Sequence, residues 1–198
     1  GFFRFADKEH DQKNVYRSAL VALGTSSIIF IVFTLLFSQS LANLLDYPSN
    51  SEYIWWIGMI VGLDAFASIP FAKLRLENKA FKYAIIRMLE VSVNIGANWF
   101  FLFYCPKHAD SSWVSSVYDP EIGIGYVFIS NLLSVVVKVV ALSKEIFFQA
   151  GIFVYPLMKK MLTYSFPLLI AGFAGTINEV IDRVLLKYLI PAEKIPME

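Results

Sequence analysis

Long apolar stretches separated by short polar segments dominate the pattern of this chain. A helix needs roughly 20 apolar residues to cross the hydrocarbon core of a bilayer. Such segments must be helical, because an open strand would leave backbone groups without partners in lipid. The pattern therefore predicts an all-α fold, a polytopic transmembrane helix bundle with about five spans. The predicted spans are Ser18–Leu45, Tyr53–Ala72, Ala84–Cys105, Ile122–Leu142 and Met161–Leu189.

Composition supports lipid as the solvent of these segments. The 198 residues are 57% hydrophobic and 17% charged, whereas soluble domains are about 45–50% apolar and about 25% charged. The net charge of +1 gives no indication of nucleic acid as a partner. The single cysteine, Cys105, excludes an intrachain disulfide and a multi-cysteine metal site. We therefore expect no metal, no cofactor and no nucleic-acid partner.

The distribution of Lys and Arg predicts how the chain threads the membrane. Basic residues cluster in Gly1–Arg17, Lys73–Arg87 and Ser143–Lys160, whereas the loop Asn43–Tyr53 holds none and the loop Pro106–Glu121 holds only Lys107. Because cytoplasmic loops carry the excess of Lys and Arg, the three basic segments are predicted to be cytoplasmic. The first span then runs outward and the fifth ends outside, although Arg183, Lys187 and Lys194 near the end of the chain run against this rule.

Small residues indicate where helices approach each other. Gly58 and Gly62 are spaced four residues apart in the second span. This spacing places both on one helical face, where the absence of side chains lets a neighbouring helix come close. We therefore expect another span to pack against this face.

Polar stripes inside the third and fourth spans carry the candidate chemistry. A charge at the centre of a bilayer costs about 2.5–3.5 kcal/mol on insertion scales, so such residues usually face protein or water. Steps of three and four residues keep each stripe on one helical face. Arg87 and Glu90 are spaced i,i+3, which predicts that they can pair. Each stripe is either the wall of a wet cavity or a polar seam between packed helices. The stripes are Arg87, Glu90, Asn94 and Asn98, and Asn131, Ser134 and Lys138.

Further charges lie in the other spans. Asp64 is the one charge in the second span, where desolvation favours the uncharged acid. It is either a proton carrier or a group held by a structural hydrogen bond. Lys138 lies near the cytoplasmic end of its span, so its side chain could also reach the membrane surface. Asp182 and Arg183, late in the fifth span, are either a substrate gate or a structural charge cluster.

Several motifs resemble those of Wzx-type polysaccharide flippases, in the multidrug/oligosaccharidyl-lipid/polysaccharide exporter superfamily. Pro70–Ala80 resembles the P-x-x-x-L-R-x-E-x-[KR] loop of these proteins, and Asn94–Asn98 resembles their N-I-x-x-N helix. Tyr164–Leu169 followed by Asp182–Leu186 resembles their seventh helix, Y-S-x-P-L … D-R-x-L-L. Gly1–Ala6 resembles the loop after the second helix. In this order and spacing, the resemblance extends over nearly the whole chain.

The resemblance implies an internal fragment of a two-lobe exporter, comprising its helices three to seven. Residues 1–145 would belong to the N-terminal lobe as helices three to six. Residues 146–198 would supply the linker and the first helix of the C-terminal lobe. The resemblance also implies a multi-pass protein of the bacterial cell inner membrane that is not an enzyme. Its activity would be flipping of an undecaprenyl-diphosphate-linked oligosaccharide for surface polysaccharide biosynthesis, such as that of lipopolysaccharide.

Under this interpretation the polar residues form a transport path for the lipid-linked oligosaccharide among membrane lipids. Arg87 and Lys138 would attract the diphosphate, and Asp64 or Glu90 would couple transport to protons or sodium ions. The gate would be the Asp182–Arg183 pair. The amides expected to hydrogen-bond sugar hydroxyls are Asn94, Asn98 and Asn131.

Two alternatives remain open from the sequence. A multidrug or cation exporter of the same superfamily would need an aromatic, acidic pocket. A membrane-embedded glycosyl-lipid polymerase or ligase would need a large outer loop with acid and base residues. The longest predicted outer segment, Pro106–Glu121, offers only His108, Asp110, Asp119 and Glu121 for that role.

Overall fold

The computed structural model describes residues 2–8, 12–45, 51–108, 114, 117–148 and 151–189. Throughout these ranges the regular structure is helical. The chain divides into two compact units, Phe2–Val154 and a unit that begins at Tyr155.

The first unit is built from helices of very different lengths. The long helices α2, α4, α5 and α7 are joined by short ones, and α5 continues through a π-helical stretch, Phe100–Tyr104, into α6. The helices are α1 (Phe2–Lys8), α2 (Gln12–Leu36), α3 (Ser38–Leu44), α4 (Ser51–Leu76), α5 (Ala80–Trp99), α6 (Cys105–Lys107), α7 (Gly125–Ala141) and α8 (Ser143–Phe147).

The second unit is described by one helix, α9 (Tyr155–Leu189), which is 35 residues long and contains Pro167. Its first part, Tyr155–Asn178, is long and apolar enough to cross a membrane.

The long apolar helices confirm the predicted membrane bundle. Four helices among the described residues are long and apolar enough to span: Gln12–Leu36, Ser51–Leu76, Ala80–Lys107 and Tyr155–Asn178. The fourth predicted span corresponds to α7, an apolar helix of 17 residues, which is at the short end of the range of about 17–25 that can cross.

The first span differs from its predicted bounds at both ends. The helix begins at Gln12, before the apolar run, because Val15 and Tyr16 are buried and hold these turns against the rest of the unit. It ends at Leu36, where Phe37 leaves helical geometry (φ −104°, ψ 12°) and the chain continues as the separate helix α3.

The glycines of α4 allow it to pack closely against α2, as their spacing predicts. Gly58 and Gly62 are both buried. A Cβ atom added at Gly58 would lie 2.7 Å from Cβ of Thr34, and one added at Gly62 would lie 2.5 Å from Cγ1 of Ile31. Only glycine leaves room for α2 at this distance.

Helix α7 packs against both α4 and α5. Because the polar stripes of α5 and α7 lie on the faces that meet, this packing brings the predicted polar residues of three helices together. The first unit therefore contains the candidate site within itself.

The segment that follows α8 is held against the start of α2. The Ile152 N–H donates to Oδ1 of Asn14 at 2.7 Å, and the Val154 N–H donates to Oγ of Ser18 at 3.0 Å. Gly151 has a φ of +151° and leaves no space for a side chain beside the carbonyl oxygen of Lys13. The connecting segment is thus part of the first unit up to Val154.

We expect Gly58→Leu to destabilise the protein. The added side chain would collide with Thr34, and overpacking of this kind costs about 1–3 kcal/mol. The measurement is the thermal unfolding temperature of the full-length protein in detergent. Gly96→Leu is the matched control, because an added Cβ there meets nothing within 4 Å. Equal unfolding temperatures for the two variants would contradict the close α2–α4 packing.

Candidate functional site

A buried lysine on α7 lies at the centre of the predicted polar residues. The Lys138 side chain is 0% exposed, and its Nζ bonds both a carboxylate of α4, Asp64, and one of α5, Glu90. The distance from Nζ to Oε1 of Glu90 is 2.7 Å. An unpaired ammonium group would be very unfavourable in this interior, so the two carboxylates are what allow Lys138 to be there.

These contacts bear on two residues whose roles the sequence left open. Asp64 is not an isolated carboxylate, because its partner Lys138 comes from a different helix. Lys138 does not extend along its helix towards the membrane surface, because its ammonium group is held inside the bundle by Asp64 and Glu90. In both cases the partner lies on another helix, which the pattern within a single span cannot reveal.

Arg87 extends the ion pairs towards the exterior. Its Nη1 donates to Oε2 of Glu90 at 2.7 Å, which confirms the predicted pair at i,i+3. Glu90 therefore bridges Arg87 and Lys138, and the guanidinium of Arg87 also stacks on Phe71, 5.0 Å from Cζ to the ring centroid. We call Asp64, Arg87, Glu90 and Lys138 the charge network; its two acids and two bases balance in charge.

The three predicted amides bond one another, and each of them is partly buried. Nδ2 of Asn94 donates to Oδ1 of Asn131 at 2.7 Å, joining α5 to α7. Nδ2 of Asn98 donates to the carbonyl and side-chain oxygens of Asn94, at 2.9 and 3.2 Å. Ser134 and Asn131 donate to backbone carbonyls of their own helix. We call these three amides the amide seam, because they join two packed helices.

A cavity of about 340 Å³ lies beside the charge network, on its α4 and α5 side. Asp64 and Arg87 line this cavity, so two of the predicted site residues face an open space. Its polar and aromatic lining includes Phe3, Asp64, Ser68, Arg75, Tyr83 and Arg87.

Arg75 and Tyr83 belong to this cavity, although sequence reasoning did not select them. Nη2 of Arg75 donates to the Tyr83 hydroxyl at 2.5 Å, and its Cζ lies 4.7 Å from the centroid of that ring. In the sequence Arg75 is the arginine of the P-x-x-x-L-R-x-E-x-[KR] motif and one charge of a predicted basic segment, and in the structure it lies in the last turn of α4. The signals that could have found it are this motif position and its spacing of 12 residues from Arg87, across a tight reversal between two helices.

The reversal between α4 and α5 is held by its own charges. Asn78 adopts a positive φ of 54°, a conformation that asparagine tolerates better than most residues. Glu77 lies 2.7 Å from Nζ of Lys79 and 3.4 Å from Nζ of Lys73. Partial burial would raise the pKa of the Glu77 carboxyl, but hydrogen bonds from Lys79 and Lys73 hold that pKa below its usual value.

The remaining predicted residues do not contribute described contacts to this site. Asp182 and Arg183 are on α9, and their side chains lie outside the described residues, as does Asp110. His108 is exposed, with Nδ1 3.0 Å from the carbonyl oxygen of Tyr104. Within the described ranges, no three His, Cys, Asp or Glu side chains form a group that could hold a metal ion.

Comparison with known proteins identifies the family. The family model described as "Polysaccharide biosynthesis protein" matches residues 3–195, which is nearly the whole chain. No curated protein and no solved structure matches. The match confirms the resemblance to Wzx-type flippases, whose family comprises membrane transporters of polysaccharide synthesis rather than enzymes. The chain therefore belongs to the polysaccharide biosynthesis protein family and is a multi-pass membrane protein of that family.

Proposed function

We propose that this protein flips an undecaprenyl-diphosphate-linked oligosaccharide across the bacterial inner membrane, supplying the synthesis of a surface polysaccharide. The observation that carries the proposal is the position of Arg87. Its guanidinium lines a cavity of about 340 Å³ and is also bound to a charge network inside the bundle. A substrate at Arg87 is thereby connected to groups that could be coupled to an ion gradient.

Arg87 is suited to a phosphate group by its chemistry and its exposure. A guanidinium presents five donors in a rigid fork, which matches phosphate oxygens bidentately. One of these nitrogens is used on Glu90, and the side chain is 48% exposed, so other donors can face a ligand. Arg87 also belongs to a segment predicted to be cytoplasmic, the side from which the lipid-linked substrate would enter.

The charge network provides a mechanism for coupling. Asp64 is 58% exposed on its side chain, whereas its partner Lys138 is fully buried. A proton or sodium ion arriving from the cavity side would weaken the Asp64–Lys138 pair and leave Lys138 dependent on Glu90 alone. A diphosphate at Arg87 would in turn compete with Glu90 for the guanidinium. The ion would therefore affect Glu90 through Lys138, and the substrate would affect Glu90 through Arg87. Both effects would alter the packing of α4, α5 and α7.

The amide seam is the proposed contact for sugar. In this structure the amides bond one another, and an oligosaccharide would exchange its hydroxyls for those bonds as α5 and α7 separate. The proposed gate, Asp182 and Arg183, would act from the helix that begins the second lobe. Together these roles give substrate-binding functions to Arg87, Asn94, Asn98, Asn131 and Lys138, with Lys138 acting through Glu90.

A cation or drug exporter fits the cavity less well. Its aromatic rings, Phe3, Phe71 and Tyr83, and the carboxylate of Asp64 would suit a cation. The guanidinium groups of Arg75 and Arg87 face the same space, and they would repel a cationic drug. An anionic headgroup could pair with both guanidinium groups, and it would leave Asp64 paired with Lys138.

We expect Arg87→Ala to abolish surface polysaccharide without lowering the amount of protein in the membrane, because the main phosphate contact is lost. Arg87→Lys should retain a fraction of the activity, since it keeps the charge and loses the bidentate geometry. The measurement is surface polysaccharide in cells whose only copy of the full-length gene carries the variant. Lys79→Ala is the matched control. Lys79 is an exposed cation in the reversal between α4 and α5, and it pairs with Glu77. Normal polysaccharide in the Arg87→Ala strain would remove Arg87 from the site.

We expect Asp64→Asn to uncouple transport from the ion gradient. The amide can still accept a hydrogen bond from Lys138, but it carries no charge to be neutralised. In proteoliposomes of the full-length protein, a pH or sodium gradient should accelerate flipping by the wild type and have no effect on the variant. A variant that responds to the gradient as the wild type does would exclude Asp64 from coupling.

We expect Lys138→Met to destabilise the protein strongly, because it leaves Asp64 and Glu90 beside each other without a buried cation. Removing one partner of a buried ion pair typically costs about 3–5 kcal/mol. Adding Glu90→Gln to this variant should recover part of the loss in the thermal unfolding temperature. If the double variant is no more stable than Lys138→Met alone, the unpaired carboxylate of Glu90 is not what destabilises the single variant.

A further inference from the structure

A second guanidinium group lines the cavity with no acid to neutralise it. Arg75 projects from the last turn of α4 and donates to the Tyr83 hydroxyl at 2.5 Å. Among the described residues, the ion pairs include no carboxylate partner for Arg75, whereas Lys73, two residues earlier, pairs with Glu77. Its charge is therefore available to a ligand.

The other charges of the cavity cancel. Arg87 and Lys138 are balanced by Glu90 and Asp64 within the charge network. Arg75 therefore gives the cavity a net positive charge. A concave site with an excess of one sign attracts ligands of the opposite sign, so this cavity favours an anion.

Tyr83 places the two guanidinium groups around one point. It precedes Arg87 by four residues on α5, so both project from the same helical face. Its hydroxyl oxygen accepts from Arg75, which leaves the hydroxyl proton free to donate to an anion. Arg75 lies over the Tyr83 ring and Arg87 lies over the Phe71 ring, at 4.7 and 5.0 Å. Stacking of this kind orients both guanidiniums before any ligand arrives, which favours binding.

We propose that Arg75, Tyr83 and Arg87 form a subsite for a diphosphate group, in which Arg75 supplies the charge that distinguishes a diphosphate from a monophosphate. Arg87 alone, already shared with Glu90, offers little excess charge; with Arg75, two guanidiniums face the more highly charged headgroup. The cavity's aromatic walls, Phe3 and Phe71, suit the apolar end of a lipid headgroup better than a free hydrated anion. This inference rests on the proposed function and names the residues that would recognise its substrate.

The test is binding by the full-length protein in phosphatidylcholine nanodiscs. The probes are undecaprenyl diphosphate, undecaprenyl monophosphate and inorganic pyrophosphate. We expect the wild type to bind the diphosphate lipid more tightly than the other two. Arg75→Ala should weaken that binding about tenfold or more, the effect of losing one hydrogen bond to a charged group, and should change monophosphate binding much less.

Further variants separate a binding role from a folding role. Arg75→Gln keeps a donor for Tyr83 and removes the charge, so it should bind the diphosphate lipid as poorly as Arg75→Ala even if the latter folds badly. Tyr83→Phe should give a smaller loss, because it removes the hydroxyl and leaves both guanidiniums. Lys79→Ala removes one positive charge from the same loop outside the cavity and should bind as the wild type does. The thermal unfolding temperature of each variant checks that it is folded.

The outcomes distinguish this inference from the function on which it rests. If Arg75→Gln binds the diphosphate lipid as tightly as the wild type, the subsite is wrong and the flippase proposal stands. Pyrophosphate binding as tight as that of the lipid would overturn the assignment of this subsite to a lipid headgroup, because the ligand would then be a soluble diphosphate. If the folded wild type binds no undecaprenyl diphosphate at all, the proposed function itself fails.

Discussion

The organisation of the first unit depends on a buried ammonium group that is shared between two carboxylates. Lys138 reaches into the space between three helices, and each of the other two contributes one acid, Asp64 from α4 and Glu90 from α5. In a medium without water, neither acids nor base could remain charged alone, so the pairing fixes which faces of α4, α5 and α7 must meet. A buried pair of this kind is weak evidence for added stability, but it specifies one arrangement of the helices.

The surroundings of this ion pair have two different characters. Towards the amide seam, Asn94, Asn98 and Asn131 satisfy one another and join α5 to α7. Towards the cavity, Arg87 connects the buried network with a space large enough for a ligand. The same helix α5 therefore has amides bonded to one another along one part of its stripe and residues that line a cavity along another. A change of charge at Glu90 would act on both, because Glu90 lies between them in the sequence of the stripe.

A second set of polar contacts links the ends of these helices on the side predicted to be cytoplasmic. Glu145 of α8 accepts from Nζ of Lys82 at 2.5 Å through its carboxylate, and from the Tyr16 hydroxyl at 2.7 Å through its backbone carbonyl. Nζ of Lys73 lies 4.7 Å from the centroid of the Tyr16 ring. With the hydrogen bonds at Ile152 and Val154, these contacts hold the start of α2, the α4–α5 reversal and the connecting segment together. Movement of α5 would therefore change the contacts of the segment through which the chain leaves the first unit.

The sequence by itself determined the class of fold, the approximate spans and the helical faces that carry polar residues, because lipid imposes length and periodicity on each segment independently. It also determined the Arg87–Glu90 pair, whose partners are one turn apart on one helix. Only the tertiary structure decided the partner of Asp64, the burial of Lys138, the closure of the amide seam and the place of Arg75 in the cavity. Each of these depends on contacts between helices that are distant in the chain, and a helical pattern gives the face of a residue without saying which other face it meets.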